Sequence, residues 1–130
     1  MNTLSEVEFE QADICAALDA LSDAELDSLG FGVIGFDGET LVQRYNAMES
    51  QMAGLAPARV LGSALFTAVA PCMNNFLVAQ RFEDAASEGV ALDAMLDYVF
   101  TLRMRPSKVQ LRLAASPSTA MRYVLVQRRT

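Results

Sequence analysis

The residue pattern encodes an α+β domain: a five-stranded antiparallel sheet with short helices on one face and an N-terminal helical cap on the other. Three observations lead to it. Leu92, Ala94, Leu96, Tyr98, Phe100, Leu102 and Met104 take every second position of one segment, and residues 108–113 alternate in the same way. A period of two belongs to strands with one buried face. Residues 31–45 have the form of a hairpin turned at Asp37 and Gly38, and short helical pieces punctuated by Gly54, Pro57 and Gly62 separate that hairpin from the long strands.

The elements follow in order. Residues 11–29 read as two short helices: Ile14, Ala17 and Leu18 recur at helical spacing, and Ser22 with Glu25 forms a capping box for a second helix that ends at Gly30. Asp13, Asp19, Asp23, Glu25 and Asp27 make this segment acidic, as expected of a cap over something else; residues 1–28 are assigned to it and residues 29–130 to the core. Asn46 is placed to cap the helical turn that carries Glu49. A longer helix is expected from Phe76 to Ala86, ending near Gly89. The strand of alternating residues then stops at Pro106, residues 108–113 return, residues 116–119 turn, and residues 121–126 form the last strand. Three strands joined by tight turns make an antiparallel meander.

Composition removes many functions. At 130 residues and 52% apolar content, the chain is one domain that buries roughly two-thirds of its unfolded surface. A formal charge of −6 opposes nucleic-acid binding, which needs a basic face. There is no histidine, hence no Cys-His or Ser-His-Asp nucleophile and no His metal site. No carboxylates stand at metal-ligand spacing and no glycine-rich phosphate loop occurs, so an ordinary enzyme is not expected. Without a secretory leader or a bilayer-length apolar run, a cytoplasmic protein with free Cys15 and Cys72 is expected. No nucleic acid and no membrane are among its expected partners, and it is expected to be a monomer or weak homodimer.

The residues left to carry chemistry are few. Cys72 follows Val69, Ala70 and Pro71, and the proline stiffens the approach to it. The common fate of a free cysteine is to be a small buried hydrophobe, which also suits Cys15 on its apolar helix stripe. Without an imidazole base, Cys72 can still carry a covalent ligand. Tyr45 and Glu49 are four residues apart, so a short helix puts both on one face. A solvated glutamate is the plain alternative; a buried one would be held protonated and able to donate to an anionic oxygen. Tyr98, Phe100 and Met104 share the buried face of the long strand, as core or as pocket lining. Asp93 and Asp97 point the other way, toward solvent or the cap.

Read together, residues 31–34, Asp37 and Gly38, Tyr45-Asn46-Ala47, Glu49, Val69-Ala70-Pro71-Cys72, Asp97, Tyr98, Phe100, Met104, Pro106, Lys108, Val109 and Val124 resemble the photoactive yellow protein family. The likeness runs almost from end to end, including Phe9, Leu26 and Asp27, with a single-residue insertion between Cys72 and Tyr98. It implies a PAS fold and a p-coumaric acid (4-hydroxycinnamic acid) chromophore held as a thioester on Cys72. Its phenolate would lie against Tyr45 and a protonated Glu49. The implied pocket is completed by Ala53, Leu55, Leu65, Phe66, Ala70, Pro71, Tyr98, Phe100 and Met104, with Met104 assisting thermal return to the dark state. Blue light would isomerise the double bond, Glu49 would give up its proton, and the N-terminal cap would loosen. The signal would pass by contact to an unknown downstream signalling protein. Two positions depart from the family's pattern: Ala53 stands where a Thr usually bonds the tyrosine, and Leu55 where an Arg usually covers the chromophore. Shifted absorption and altered recovery are expected from them. A pigment-free PAS module for ligands or proteins is the alternative, and a thiol acyl carrier or redox sensor is a poorer third.

Overall fold

The computed structural model describes residues 7–100 and 106–128. Leu102 and Met104, expected on the buried face of the long strand, lie outside the described residues. Five antiparallel strands form one sheet: β1 (Gly32–Phe36), β2 (Val42–Tyr45), β3 (Leu92–Phe100), β4 (Ser107–Ala115) and β5 (Arg122–Arg128), in the spatial order β2-β1-β5-β4-β3. The meander β3-β4-β5 is present as expected, and β5 takes the centre by pairing with β1 from Gly32↔Val126 to Phe36↔Arg122.

Period-two alternation gives the sheet two buried faces. Ile34, Phe36, Val109, Leu111, Leu113, Val124 and Val126 point to an inner core, closed by Val60, Leu65, Phe66, Met73, Val78 and Phe82. These come from α4 (Pro57–Val60), a π-helical turn (Leu65–Val69), a 3₁₀ turn (Pro71–Met73) and α5 (Ala79–Glu88) together with the residue before it. Phe36 meets Phe66 and Phe82 edge-on, with ring centroids 5.6 and 4.9 Å apart. On the outer face Val33, Ala114, Tyr123 and Leu125 pack with Phe9, Ile14, Leu18, Leu21, Leu26 and Leu29. The cap, α1 (Ile14–Asp19) and α2 (Asp23–Asp27), therefore shares a second core with the sheet.

Local chemistry accounts for the boundaries. Ser22 accepts from Glu25 N at 3.1 Å while Glu25 accepts from Ser22 N at 2.8 Å, so the capping box forms as expected. The helix expected from Phe76 instead begins at Ala79. Asn75 Oδ1 accepts from Leu77 N and Val78 N at 3.0 and 3.2 Å, an Asx turn that takes the amides a helix start would use. Phe76 is left 83% exposed. Two arginines tie the cap down through backbone carbonyls. Arg44 donates to Leu18 O, Leu21 O and Tyr123 Oη as well as Asp23, and Arg112 donates to Phe9 O and Gln11 O while paired with Asp93 at 2.8 Å. Asp93 thus faces the cap, and Arg112 holds its carboxyl below the usual carboxylate range.

The residue joining all layers is Asn46. Its Oδ1 accepts from Val33 N at 2.9 Å and Glu49 N at 3.1 Å, and its Nδ2 donates to Leu26 O and Phe31 O, both at 2.9 Å. It is the N-cap of α3 (Ala47–Ala53) and a bridge from that helix to sheet and cap. Asn46→Ala strands several buried backbone groups, and urea denaturation is expected to record a loss of about 3 kcal/mol, more than a cap alone contributes.

Candidate functional site

Tyr45 closes β2 and Glu49 sits in the first turn of α3. They share no single helix, contrary to the four-residue spacing argument; a strand end followed by a capped helix start brings both inward instead. Glu49 is 2% exposed and Tyr45 8%, which removes the solvated-glutamate alternative. Space for the carboxyl comes from Gly32 on the inner face of β1: a Cβ built there would overlap Glu49 Oε1. Gly32 was legible only as part of a motif, and nothing in its sequence neighbours points to Glu49.

Arg128, at the end of β5, was not foreseen as a site residue. Its Nη1 and Nη2 donate to Glu49 Oε1 and Oε2 at 2.8 and 3.2 Å, a two-point ion pair. The guanidinium carbon also lies 5.7 Å from the centroid of the Phe100 ring. Burial pushes the Glu49 carboxyl up from its ordinary range while Arg128 pulls against that shift. Tyr45 is raised first by burial, with the Glu49 charge adding and Arg128 opposing. Unlike Glu49, the Tyr45 hydroxyl is buried without a hydrogen-bond partner among the described residues. Ala53 is buried in α3 and has no side-chain hydroxyl to offer it.

Cys72 lies in the 3₁₀ turn, partly buried against the inner core, where Leu55 and Tyr98 also pack. Its carbonyl accepts from Tyr98 Oη at 2.6 Å and from Asn75 Nδ2 at 3.1 Å. Those bonds fix the backbone of the cysteine and leave its thiol outside the network. Tyr98 meets Phe100 edge-on at 6.0 Å, so one aromatic pair runs from the Cys72 carbonyl to the Arg128 guanidinium. Leu65, Phe66, Ala70 and Phe100 belong to the buried inner core. Pro71 is exposed and acts through the backbone it stiffens. Met104 lies outside the described residues. Cys15 is buried in the outer core, its thiol raised by burial and 3.3 Å from Thr119 Oγ1. The two cysteines are therefore on opposite faces of the sheet.

No protein-family model matches the chain. It is 33% identical over 122 residues to photoactive yellow protein of Rhodothalassium salexigens and 35% identical over 125 residues to that of Halochromatium salexigens, each alignment covering 94% of this chain and 97% of the relative. The chain belongs to the photoactive yellow protein family. Among solved structures it is similar to the photoactive yellow protein domain of the sensor histidine kinase Ppr from Rhodospirillum centenum, with a TM-score of 0.79, 37% identity and coverage of 87% of this chain and 98% of that one. A PAS domain of an HTR-like protein from Haloarcula marismortui shares the fold at 14% identity and a TM-score of 0.58, over 82% of this chain and 91% of that one. The fold is thus PAS, and the family is one of photoreceptors and sensor domains. Among the described residues no helix is long and apolar enough to cross a membrane, and no cluster of metal-ligating side chains occurs.

The close seat of Glu49 gives a direct test of this geometry. Gly32→Ala is expected to destabilise the chain by about 2 kcal/mol through overpacking. Shortening the partner in Gly32→Ala/Glu49→Ala should recover most of that loss in a double-mutant cycle of urea midpoints.

Proposed function

We propose that this chain is a blue-light photoreceptor carrying p-coumaric acid as a thioester on Cys72, with Tyr45 and Glu49 receiving the phenol end. The observation that carries the reading is the Tyr45 hydroxyl, buried without a partner beside a buried carboxyl. Such a donor costs stability unless a ligand oxygen completes it, and a phenolate supplies that oxygen. The residues present suit the group: Cys72 borders the same inner core, and Tyr98, Phe100, Phe66 and Leu65 offer aromatic and aliphatic surface for a flat ring. When bound, the chromophore supplies a phenolate and a double bond that blue light isomerises.

The chain's own part is charge control. Tyr45 Oη donates one hydrogen bond, and Glu49 in its neutral form donates a second, so a buried anion keeps two charge-assisted bonds in place of water. After illumination Glu49 would pass its proton to the phenol oxygen and become a buried anion, which is costly until the Arg128 guanidinium pairs with it. Glu49 N is bonded to Asn46 Oδ1, and Asn46 Nδ2 to the cap carbonyl of Leu26. Strain in the first turn of α3 therefore reaches the cap, residues 1–28, which loosens and exposes a surface for a downstream signalling protein. Ala53 gives Tyr45 no side-chain support and Leu55 supplies no charge, so absorption and recovery are shifted from those of relatives with Thr and Arg there.

The pair between Glu49 and Arg128 favours a second reading, because it satisfies the buried carboxyl without any pigment. In that case the chain is a PAS ligand or protein-interaction module. Mass and colour separate the two. Produced with a source of activated p-coumarate, the wild type is expected to show a visible band and the mass of one added cinnamoyl unit. Cys72→Ser should lose both and Cys15→Ser should keep both. A colourless, unmodified wild type would establish the pigment-free reading.

A further inference from the structure

Among the described residues Arg44, Arg112 and Arg128 pair with carboxylates, and they are not alike. Arg44 and Arg112 each donate to two backbone carbonyls of the cap segment in addition to an aspartate, so they are fixed structural ties. The Arg128 guanidinium hydrogen-bonds, among the described residues, to Glu49 alone and otherwise rests over the Phe100 ring. Its side chain is 13% exposed, whereas that of Glu49 is 2%. The carboxyl is walled in by Gly32 and the inner sheet, while the guanidinium sits at the end of β5 and keeps a path to water. Of the two partners, only the arginine can leave. Leu55, packed against the inner core, offers no cation, and among the described residues Arg128 is the cation paired with Glu49.

Resting on the photoreceptor reading above, we propose that Arg128 is an exchangeable positioning residue that neutralises Glu49 while the pocket is empty and is displaced from it when the phenol oxygen arrives beside Tyr45. The exchange balances. In the unloaded chain an ionised Glu49 and Arg128 cancel. On loading, the guanidinium swings toward solvent, the Glu49 carboxylate takes the proton of the incoming phenol, and the neutral acid then donates its hydrogen bond to the phenolate so formed. The pocket thus holds one buried negative charge at a time, on the carboxyl before loading and on the phenolate after it. Around Glu49, β2 presents Tyr45, β5 presents Arg128, and α2 presents Asp27 only at the exposed start of α3, bonded to Ala47 N at 2.8 Å. The faces of β1 and β3 contribute Gly32 and Phe100, which do not titrate. The device makes Glu49 protonation a consequence of loading, and it selects a ligand whose polar end carries a proton acidic enough to pass to the carboxylate.

Infrared spectroscopy of the unloaded chain at neutral pH tests this without using the pigment, with Glu49→Gln assigning the carboxylic-acid C=O stretch. The wild type is expected to lack a Glu49 acid band, Arg128→Gln to show one, and Arg128→Lys, which keeps the charge, to lack it again. Loading the wild type with activated p-coumarate, whose leaving group departs as the Cys72 thioester forms, should bring the band in. An acid band of Glu49 already present in the unloaded wild type overturns the proposal, as does a loaded wild type that remains without one. Should Arg128→Gln fail to fold, the unloaded and loaded wild-type spectra still decide. Failure to colour at all would sink the photoreceptor reading separately, because the unloaded spectra do not depend on it.

Discussion

A carboxyl held away from water on the inner face of a sheet is the constraint around which this molecule is organised. Glu49 can lie there only because Gly32 leaves room for it, because Asn46 holds its helix in place, and because a guanidinium neutralises it. Removing an ion from water costs several kcal/mol in a protein interior after relaxation, and a sequence under no functional pressure has simpler residues to bury against a glycine. The neighbouring Tyr45 hydroxyl makes the same point from the opposite direction, since it is buried and unpaired. A charged group that is fully partnered stands beside a neutral donor that has no partner among the described residues, which suits the proposed binding of a ligand oxygen at one atom and exchange of charge at the other.

The sheet carries this local condition to a distant surface. Its inner face holds the site and its outer face holds the cap, so any shift in α3 is felt by both through Asn46, which bonds Val33 on the sheet and Leu26 on the cap. The cap is more firmly seated than a loose lid: it shares an apolar core with Tyr123 and Leu125, and Arg44 and Arg112 reach into its backbone. The cap release proposed above would therefore need a stressed connection to overcome that packing, and Asn46 offers a short one, with Glu49 three residues along the chain.

Much of the fold could be read from the chain because it follows from local periodicity. The alternation from Leu92 to Phe100 became β3, Ser22 and Glu25 made their capping box, and Asn46 took the N-cap. Cys72, Tyr45 and Glu49 stood out through the family motif they share, since residue chemistry alone left an inert buried thiol and a solvated carboxylate as the plainer readings. What local reasoning missed depends on the third dimension. Arg128 is 79 residues from Glu49, and no spacing rule connects them. Gly32 looked like a strand glycine until the carboxyl was seen against it. The late start of α5 reflects a tertiary-neutral detail, the Asn75 side chain competing for two amides, which outweighed the apolar run from Phe76.

In the proposed photoreceptor, light changes the ionisation of one buried acid. Light-minus-dark infrared difference spectroscopy on the loaded protein measures that change directly. A carboxylic-acid stretch is expected to be lost on illumination and to return in the dark, with the signal gone in Glu49→Gln. A difference spectrum with no such loss, or one that survives the substitution, would contradict the proposal.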